Sequence, residues 1–190
     1  ENESMKEVVV ITGTPGVGKT TLMRKLAKKI RNAGFYNATT LVNKHRLYSR
    51  KDRFGTKIVD LKKLKLIIDK MIRRDKHRIV VFDGHLLSDI GIRGAKAIVL
   101  REHLRTLLKR LQERGYPVEK IRDNLVSEAI GYCSSAARSN YREVYELMGS
   151  DRKVLQRIIR IIGGKKENRK EINLLEELVG IGKKNRKLVR

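Results

Sequence analysis

Apolar and polar positions along the chain follow two periods, and they trade places several times. Val8-Val9-Val10-Ile11 is an unbroken β-branched run that stops at a glycine-rich turn. Such a run predicts a strand buried on both faces of a parallel sheet. From Thr20 to Arg31 the apolar residues Leu22, Met23, Leu26, Ala27 and Ile30 fall on one helical face, with a basic face opposite. A second short strand is expected near Tyr36 to Ala38. Residues 43–57 are polar, basic and irregular and include Gly55, which predicts a mobile loop or a small helical insert. Leu61 to Arg74 is helical again, through Leu61, Leu64, Ile67, Ile68, Met71 and Ile72. Arg78 to Asp83 is a second clear strand ending on an acid, and Ala97 to Leu100 a third. A helix follows from about Leu104 to Arg114 and breaks at Gly115-Tyr116-Pro117. The spacing then predicts one long helix from Val118 to about Leu147, stopped by Gly149, with Asp151 capping the next. Gly163-Gly164 reads as a hinge before a solvated run at residues 165–170. A short apolar helix is expected over Ile172 to Val179, and then a basic tail, Lys183 to Arg190.

Strands alternating with helices predict an α/β fold, a parallel sheet with helices on both faces. The 190 residues suffice for one domain with a sizeable core. No apolar run approaches the ~20 residues that a membrane-spanning helix needs. Glu1 to Ser4 read as a non-native leader, with Met5 the start. No apolar signal core follows, so a cytoplasmic protein without membrane contact is expected. A single cysteine, Cys133, excludes an internal disulfide and predicts a small buried residue on a helix.

Charge changes the picture. Lys and Arg number 45 against 21 acids, a net charge of +24. A thermophile surface accounts for many charges, but with both signs in similar number. The imbalance instead predicts a polyanionic partner, a nucleic acid or ribonucleoprotein. Aromatics are only 5% and Trp is absent, which favours phosphate contact over base stacking.

The chemistry concentrates in Gly13-Thr14-Pro15-Gly16-Val17-Gly18-Lys19-Thr20, which fits G-x-x-x-x-G-K-[ST]. An apolar strand precedes it and an amphipathic helix follows, the context that a phosphate-binding loop requires. Glycines let backbone amides converge on phosphate oxygens, and the helix N-terminus favours the anion. Lys19 is placed to reach the β- and γ-phosphates of ATP, and the Thr20 hydroxyl to ligate Mg²⁺. Asp83 ends a strand expected beside the first, which puts its carboxylate near the metal. His85 follows two residues on and is placed to orient a water or hold a loop. Arg101 and Arg114 sit at a strand end and a helix break, where either could face phosphate or plain solvent.

These segments resemble one family. GTPGVGKTT (13–21), Val81-Phe82-Asp83-Gly84-His85 and RLQERGYPVEKIRDNLVSEAI (110–130) are similar to adenylate kinase isoenzyme 6, also called coilin-interacting nuclear ATPase protein. The resemblance covers residues 6–148. It implies a P-loop nucleoside triphosphate hydrolase fold of the nucleoside monophosphate kinase type, with a five-stranded parallel core. It implies a kinase-like domain over 5–163, with a monophosphate-binding arm near 39–60 and a lid near 113–123, then a basic extension over 164–190. ATP would be held by the loop Gly13, Pro15, Gly16, Val17, Gly18, Lys19, Thr20 and Thr21, with Arg114 closing from the lid. Asp83 and His85 would match the Walker B acid and the histidine associated with ATP hydrolysis. The implied activities are ATP plus AMP giving two ADP, and ATP hydrolysis. The implied role is maturation of the small ribosomal subunit, with a platform ribosomal protein as partner and rRNA contact through the basic surface. Archaeal members exist, and a charge-rich chain suits a heat-loving archaeon. The arm departs from eukaryotic relatives. Where they carry acids, this chain has Lys44-His45-Arg46 and Arg50-Lys51-Asp52-Arg53, which favours RNA contact there. The alternative is a nucleotide-switched assembly chaperone whose turnover is incidental.

Overall fold

The structure is a computed structural model, and it describes residues 6–51 and 57–184. The elements in chain order are β1 (Glu7–Thr12), α1 (Lys19–Lys29), β2 (Ala33–Asn37), α2 (Ala38–Lys44), β3 (Tyr48–Lys51), β4 (Lys57–Val59), α3 (Leu61–Arg74), β5 (Ile79–Asp83) and α4 (Leu87–Ile90). They continue with β6 (Lys96–Arg101), α5 (Leu104–Glu113), α6 (Val118–Ala129), α7 (Tyr132–Asn140), β7 (Glu143–Met148), α8 (Val154–Ile162) and α9 (Leu175–Lys184).

Five strands form one sheet in the order β2-β5-β1-β6-β7, and every neighbouring pair is parallel. Side chains alternate across it, as the two-residue period of a strand demands. Val9 and Ile11 of β1 face a core shared with α1, α5, α6 and α8, whereas Val8 and Val10 face one shared with α2, α3 and α7. Both faces are therefore covered, which is why the strands read as unbroken apolar runs. The order changes direction at β1, so the carboxyl ends of β1, β5 and β6 open a crevice there.

Four expectations need correction. The predicted helix over Val118 to Leu147 is two helices and a strand. Gly131 takes a left-handed conformation (φ 67) between α6 and α7, and Tyr141 turns the chain into β7. β7 pairs with β6 from Lys96↔Glu143 to Arg101↔Met148. Its glutamates suit a helix, but a full parallel ladder and burial of Tyr145 and Leu147 override that preference. Second, the stretch 43–57 is no loop or helical insert in its described part. It holds the end of α2 and the antiparallel pair β3–β4, while residues 52–56, with Gly55, lie outside the described residues. Third, the strand expected at Tyr36–Ala38 lies earlier, and Ala38 already begins α2. Asn37 ends β2 and caps the helix, its Oδ1 accepting from the Thr40 amide at 2.9 Å. Fourth, Asp151 is not the cap of α8. Lys153 occupies that position, and the Asp151 carboxylate accepts from its amide at 2.8 Å.

The last helix forms later than expected, as α9. It docks with Leu174 and Ile181 buried in the α1-side core. Among the described residues no helix is long and apolar enough to cross a membrane.

Candidate active site

The phosphate loop links β1 to α1, and its shape depends on small residues at close approaches. A Cβ on Gly13 would lie 2.3 Å from the Leu100 carbonyl oxygen of β6, and one on Gly16 would lie 2.7 Å from Leu107 of α5. Both glycines have positive φ, which adds backbone strain to any side chain there. The α1 N-terminus has no side-chain cap and no acid in its first turn, so its leading amides and its positive dipole end face the loop. Val17 is buried behind the loop, and its amide lies 3.4 Å from the Thr14 oxygen. Pro15 stands half-buried on the outer turn.

Lys19 folds back over the loop. Its ammonium donates to the Gly13 oxygen at 2.6 Å and the Thr14 oxygen at 3.0 Å. Burial pushes its pKa down to about 8, and the Arg114 charge acts the same way, against the pull of Asp83 and Glu128. A lysine held by carbonyls alone keeps an uncompensated charge for an incoming anion.

Asp83 is buried at the end of β5, opposite Ile11 of β1. Its Oδ1 accepts from the Asn37 amide at 2.9 Å. Burial raises its carboxyl above the ordinary range, while Asn37 and Lys19 hold it down. The next turn is tied to β1, because the His85 carbonyl accepts from Thr12 at 3.2 Å and Ser88 at 3.0 Å. Burial, with the Lys19 charge, pushes the His85 imidazole down to about 4, so the ring is neutral at pH 7.

Two clefts are lined by residues near the start of α1. One, of about 620 Å³, is lined by Thr20, Arg24, Phe35, Tyr36, Asn37 and Asp83 among others. The other, of about 470 Å³, is lined by Gly16, Gly18, Thr21, Arg110 and Arg114 and by the turn after β7. Adjacent residues Thr20 and Thr21 thus open onto different clefts. Thr20 and Asp83, the candidate metal ligands, line the same one.

Arg101 belongs to neither cleft. It is buried and ion-paired, so the phosphate-facing alternative does not hold. Its Nε donates to Glu128 at 2.9 Å, and its Nη1 to Glu146 at 2.8 Å, Ser134 at 3.2 Å and the Ile172 oxygen at 3.1 Å. Glu128 carries this network to the loop, because its other carboxylate oxygen accepts from the Thr14 hydroxyl at 2.5 Å. Arg110, which no sequence signal singled out, donates to the Gly16 oxygen at 3.2 Å and pairs with buried Glu102 at 3.0 Å. Asn37, Glu128 and Glu102 were equally missed. The only hint of Arg110 was its place one helical turn before Arg114. Cys133 is buried on α7, where burial raises its thiol pKa and keeps it inert.

Comparison with known proteins now decides the family. Residues 9–131 match the family model described as AAA domain. A Methanocaldococcus jannaschii protein named "Putative adenylate kinase" is 32% identical over 176 residues, 89% of this chain and 93% of the relative. A Pyrococcus furiosus protein of the same name is 34% identical over 141 residues, 74% of this chain and 73% of that one. The chain belongs to the adenylate-kinase-like family. Among solved structures, TT1252 from Thermus thermophilus superposes with a TM-score of 0.57 at 17% identity, over 86% of this chain and all of that one. Shikimate kinase from Acinetobacter baumannii in complex with shikimate gives 0.56 at 14% identity, over 87% of this chain and 97% of that one. These likenesses carry the fold of P-loop kinases. They agree with the α/β architecture expected from the alternating pattern, and the chain is an enzyme of this family.

Proposed function

We propose that the chain transfers the γ-phosphoryl group of ATP to AMP, giving two ADP, and passes the same group more slowly to water. The presence of two clefts beside the start of α1, one lined by Thr20 and the other by Thr21, carries this reading. The cleft at Thr21, Arg110 and Arg114 suits the ATP side, with Arg114 at the start of a lid over 113–123. The cleft at Phe35, Tyr36 and Asn37 suits a nucleoside monophosphate, bordered by an arm over 39–60. An acceptor there would present its phosphate oxygen toward Lys19. That oxygen bonds to the γ-phosphorus, the bond to the ADP oxygen breaks, and catalysis is mainly positioning. Lys19 and Arg114 stabilise the charge spread over the transferred group.

Magnesium fits this donor set. Thr20 offers a hydroxyl and Asp83 a carboxylate on one cleft, and magnesium is typically held by one or two protein oxygens with phosphates and water. Among the described residues no cluster of three or more His, Cys, Asp or Glu offers an all-protein cage. Bound there, the ion would neutralise charge on the β- and γ-oxygens. In hydrolysis neutral His85 accepts a hydrogen bond from water, a role closed to an imidazolium.

The biological setting is small-ribosomal-subunit maturation, with a platform ribosomal protein and rRNA as partners, and the +24 net charge supports the rRNA contact. A second reading, a nucleotide-switched assembly factor, is favoured by one contact. Glu177 of α9 accepts from the Leu104 amide at 2.8 Å and pairs with His103 at 2.7 Å, so the C-terminal segment grips the start of α5. The far end of α5 carries Arg114. A partner that pulled on α9 would move the lid side of the nucleotide cleft.

The test is ADP formation from magnesium-ATP with and without AMP, at low and high temperature. A large AMP-dependent rise, with two ADP per ATP consumed, is expected. Slow hydrolysis indifferent to AMP would overturn the kinase reading and leave the switch.

A further inference from the structure

We propose that the outer face of α1, continued onto the start of α8, binds the sugar-phosphate backbone of a nucleic acid. The proposal deepens the polyanion half of the reading above and does not depend on phosphoryl transfer.

No Asp or Glu occurs between Glu7 and Asp52. α1 lies inside that acid-free stretch. Its buried side is Leu22, Met23 and Leu26, and its outer side exposes Arg24, Lys25, Lys28 and Lys29, followed by Arg31. α1 packs against α8, whose leading turn exposes Arg152 and Lys153. None of these seven cations has an ion pair or side-chain hydrogen bond with a described residue. Several exposed cations elsewhere are compensated: Lys63 by Asp60, Lys109 by Glu113, Arg138 by Glu146 and Glu171, Arg160 by Glu167, Arg169 by Glu143. α3 carries even more cations, four lysines and two arginines, but it contains Asp69 and is bracketed by Asp60 and Asp75.

Folding alone does not call for this arrangement. Lys28 and Lys29 complement the helix dipole at the C-terminal end. Arg24 and Lys25 lie mid-helix and gain nothing from it. Arg24 with Lys28, and Lys25 with Lys29, are like-charged neighbours four apart, which destabilises an isolated helix. A polyanion laid along the row reverses the sign of every one of those terms and releases its own counterions.

The side chains also say how the ligand is held. The aromatic residues most exposed among those described are Tyr48 and Tyr132, and neither lies on α1 or α8. Base stacking is therefore absent from this face, and contact is through phosphates, independent of sequence and steep in salt. Lys25 and Arg152 also line the nucleotide cleft, so a bound strand borders its mouth.

The experiment measures binding of a labelled 20-nucleotide uridylate RNA to the full chain across a salt series. One variant carries Lys28→Gln, Lys29→Gln, Arg31→Gln and Lys153→Gln. The control carries Lys62→Gln, Lys70→Gln, Arg73→Gln and Lys76→Gln, the same charge loss around α3. The first is expected to flatten the slope of log affinity against log salt by about 3, at roughly 0.7 for each phosphate no longer neutralised. The control flattens it by less than about 1. Magnesium-ATP turnover stays unchanged in both, which also reports an intact fold. Equal flattening in the two variants, or none in the first, would overturn the proposal and leave net charge alone as the cause. A single change gives a second reading: Lys29→Glu weakens binding several-fold at low salt, and Lys62→Glu does not. Turnover indifferent to AMP in the unaltered chain, with the expected difference in slope between the two variants, would count against the kinase reading and not this one.

Discussion

Lys19 and Arg101 are both cations drawn into the interior near the phosphate loop, and they are held in opposite ways. Arg101 is closed off. Two carboxylates, a hydroxyl and two backbone oxygens use its donors, and no fork remains for a ligand. Among the described residues Lys19 is hydrogen-bonded only to the Gly13 and Thr14 carbonyl oxygens of the glycine-rich loop. Burial depresses its pKa to about 8, more than Asp83 and Glu128 restore. Burial of a cation near a phosphate site therefore says little about its role. The kind of partner that meets the cation distinguishes a strut from a reacting group.

The comparison breaks most sharply by substitution. Arg101→Ala leaves Glu128 buried without its cation and Glu146 with Arg138 alone, and breaking such a buried pair costs about 3–5 kcal/mol. A large drop in the urea midpoint is expected, with activity lost only as the fold is lost. Retained stability would mean that the network is not the strut described. Lys19→Ala is the converse. Turnover is expected to fall about 10²–10³-fold, the usual loss for one stabilising donor at a developing anion. The urea midpoint should hold or rise, because an uncompensated charge leaves the interior. Undiminished turnover would remove the loop from the active site.

Thr14 joins the two systems. Its hydroxyl hands the Arg101–Glu128 network to the loop backbone that Lys19 binds. Thr14→Val strips a buried carboxylate oxygen of its donor, a loss of about 1–3 kcal/mol. It should also raise the KM for ATP more than it lowers kcat, since the loop is loosened while Lys19 remains. A stability loss with unchanged KM would confine Glu128 to the core.

The turn between β1 and α1 and the place of Asp83 at the end of β5 were legible in the sequence because their signals are local: a fixed glycine spacing, a strand before and a helix after. The three clearest strands of the sheet were legible for the same reason, since burial on both faces leaves unbroken apolar runs such as Val8–Ile11. β7 was not. Its Glu143 and Glu146 follow two genuine helices, and only pairing with β6 makes it a strand. That one error hid the rest. With β7 read as helix, Glu146 had no reason to lie beside Arg101. Glu128, 27 residues from Arg101 in sequence, meets it only through the packing of α6. Long-range ion pairs carry no periodicity, so Arg101 at a strand end looked as much like a phosphate ligand as Arg114 did.

Acid–base behaviour sharpens the contrast by a smaller margin. On the proposed reading ATP binds protonated Lys19, and a bound polyphosphate would raise its pKa. With a ligand-free pKa of about 8, the affinity for ATP is level below pH 8 and falls above it, by up to tenfold per pH unit, until the pKa of the complex is reached. The ligand-free fold changes the other way. The unfolded lysine still binds its proton between about pH 8 and its ordinary 10.5, so this group's contribution to stability rises with pH across that window. Calorimetric titration from pH 6.5 to 9.5 tests the affinity, and Lys19→Arg should flatten the profile. A fall shared by Lys19→Arg would assign the titration to another group.

The smallest effect belongs to His85, and it separates the two acceptors. With its imidazole pushed down to about 4, His85 is uncharged throughout the working range, so it neither repels nor attracts the γ-phosphate. What it offers is a ring nitrogen beside the turn that Thr12 and Ser88 fix to β1. On the proposed reading an AMP phosphate would be positioned by the cleft at Phe35, Tyr36 and Asn37, and it already carries a nucleophilic oxygen. Water has neither advantage. His85→Ala is therefore expected to slow hydrolysis several-fold while AMP phosphorylation stays within about twofold. Loss of one hydrogen bond to a neutral group corresponds to about 0.5–1.5 kcal/mol, an effect of that order. Because the ring is neutral in the wild type, the ratio of the two rates should not change between pH 6 and pH 8. Equal losses in both reactions, or a ratio that titrates near pH 6.5, would show that His85 serves the phosphoryl group itself rather than the water.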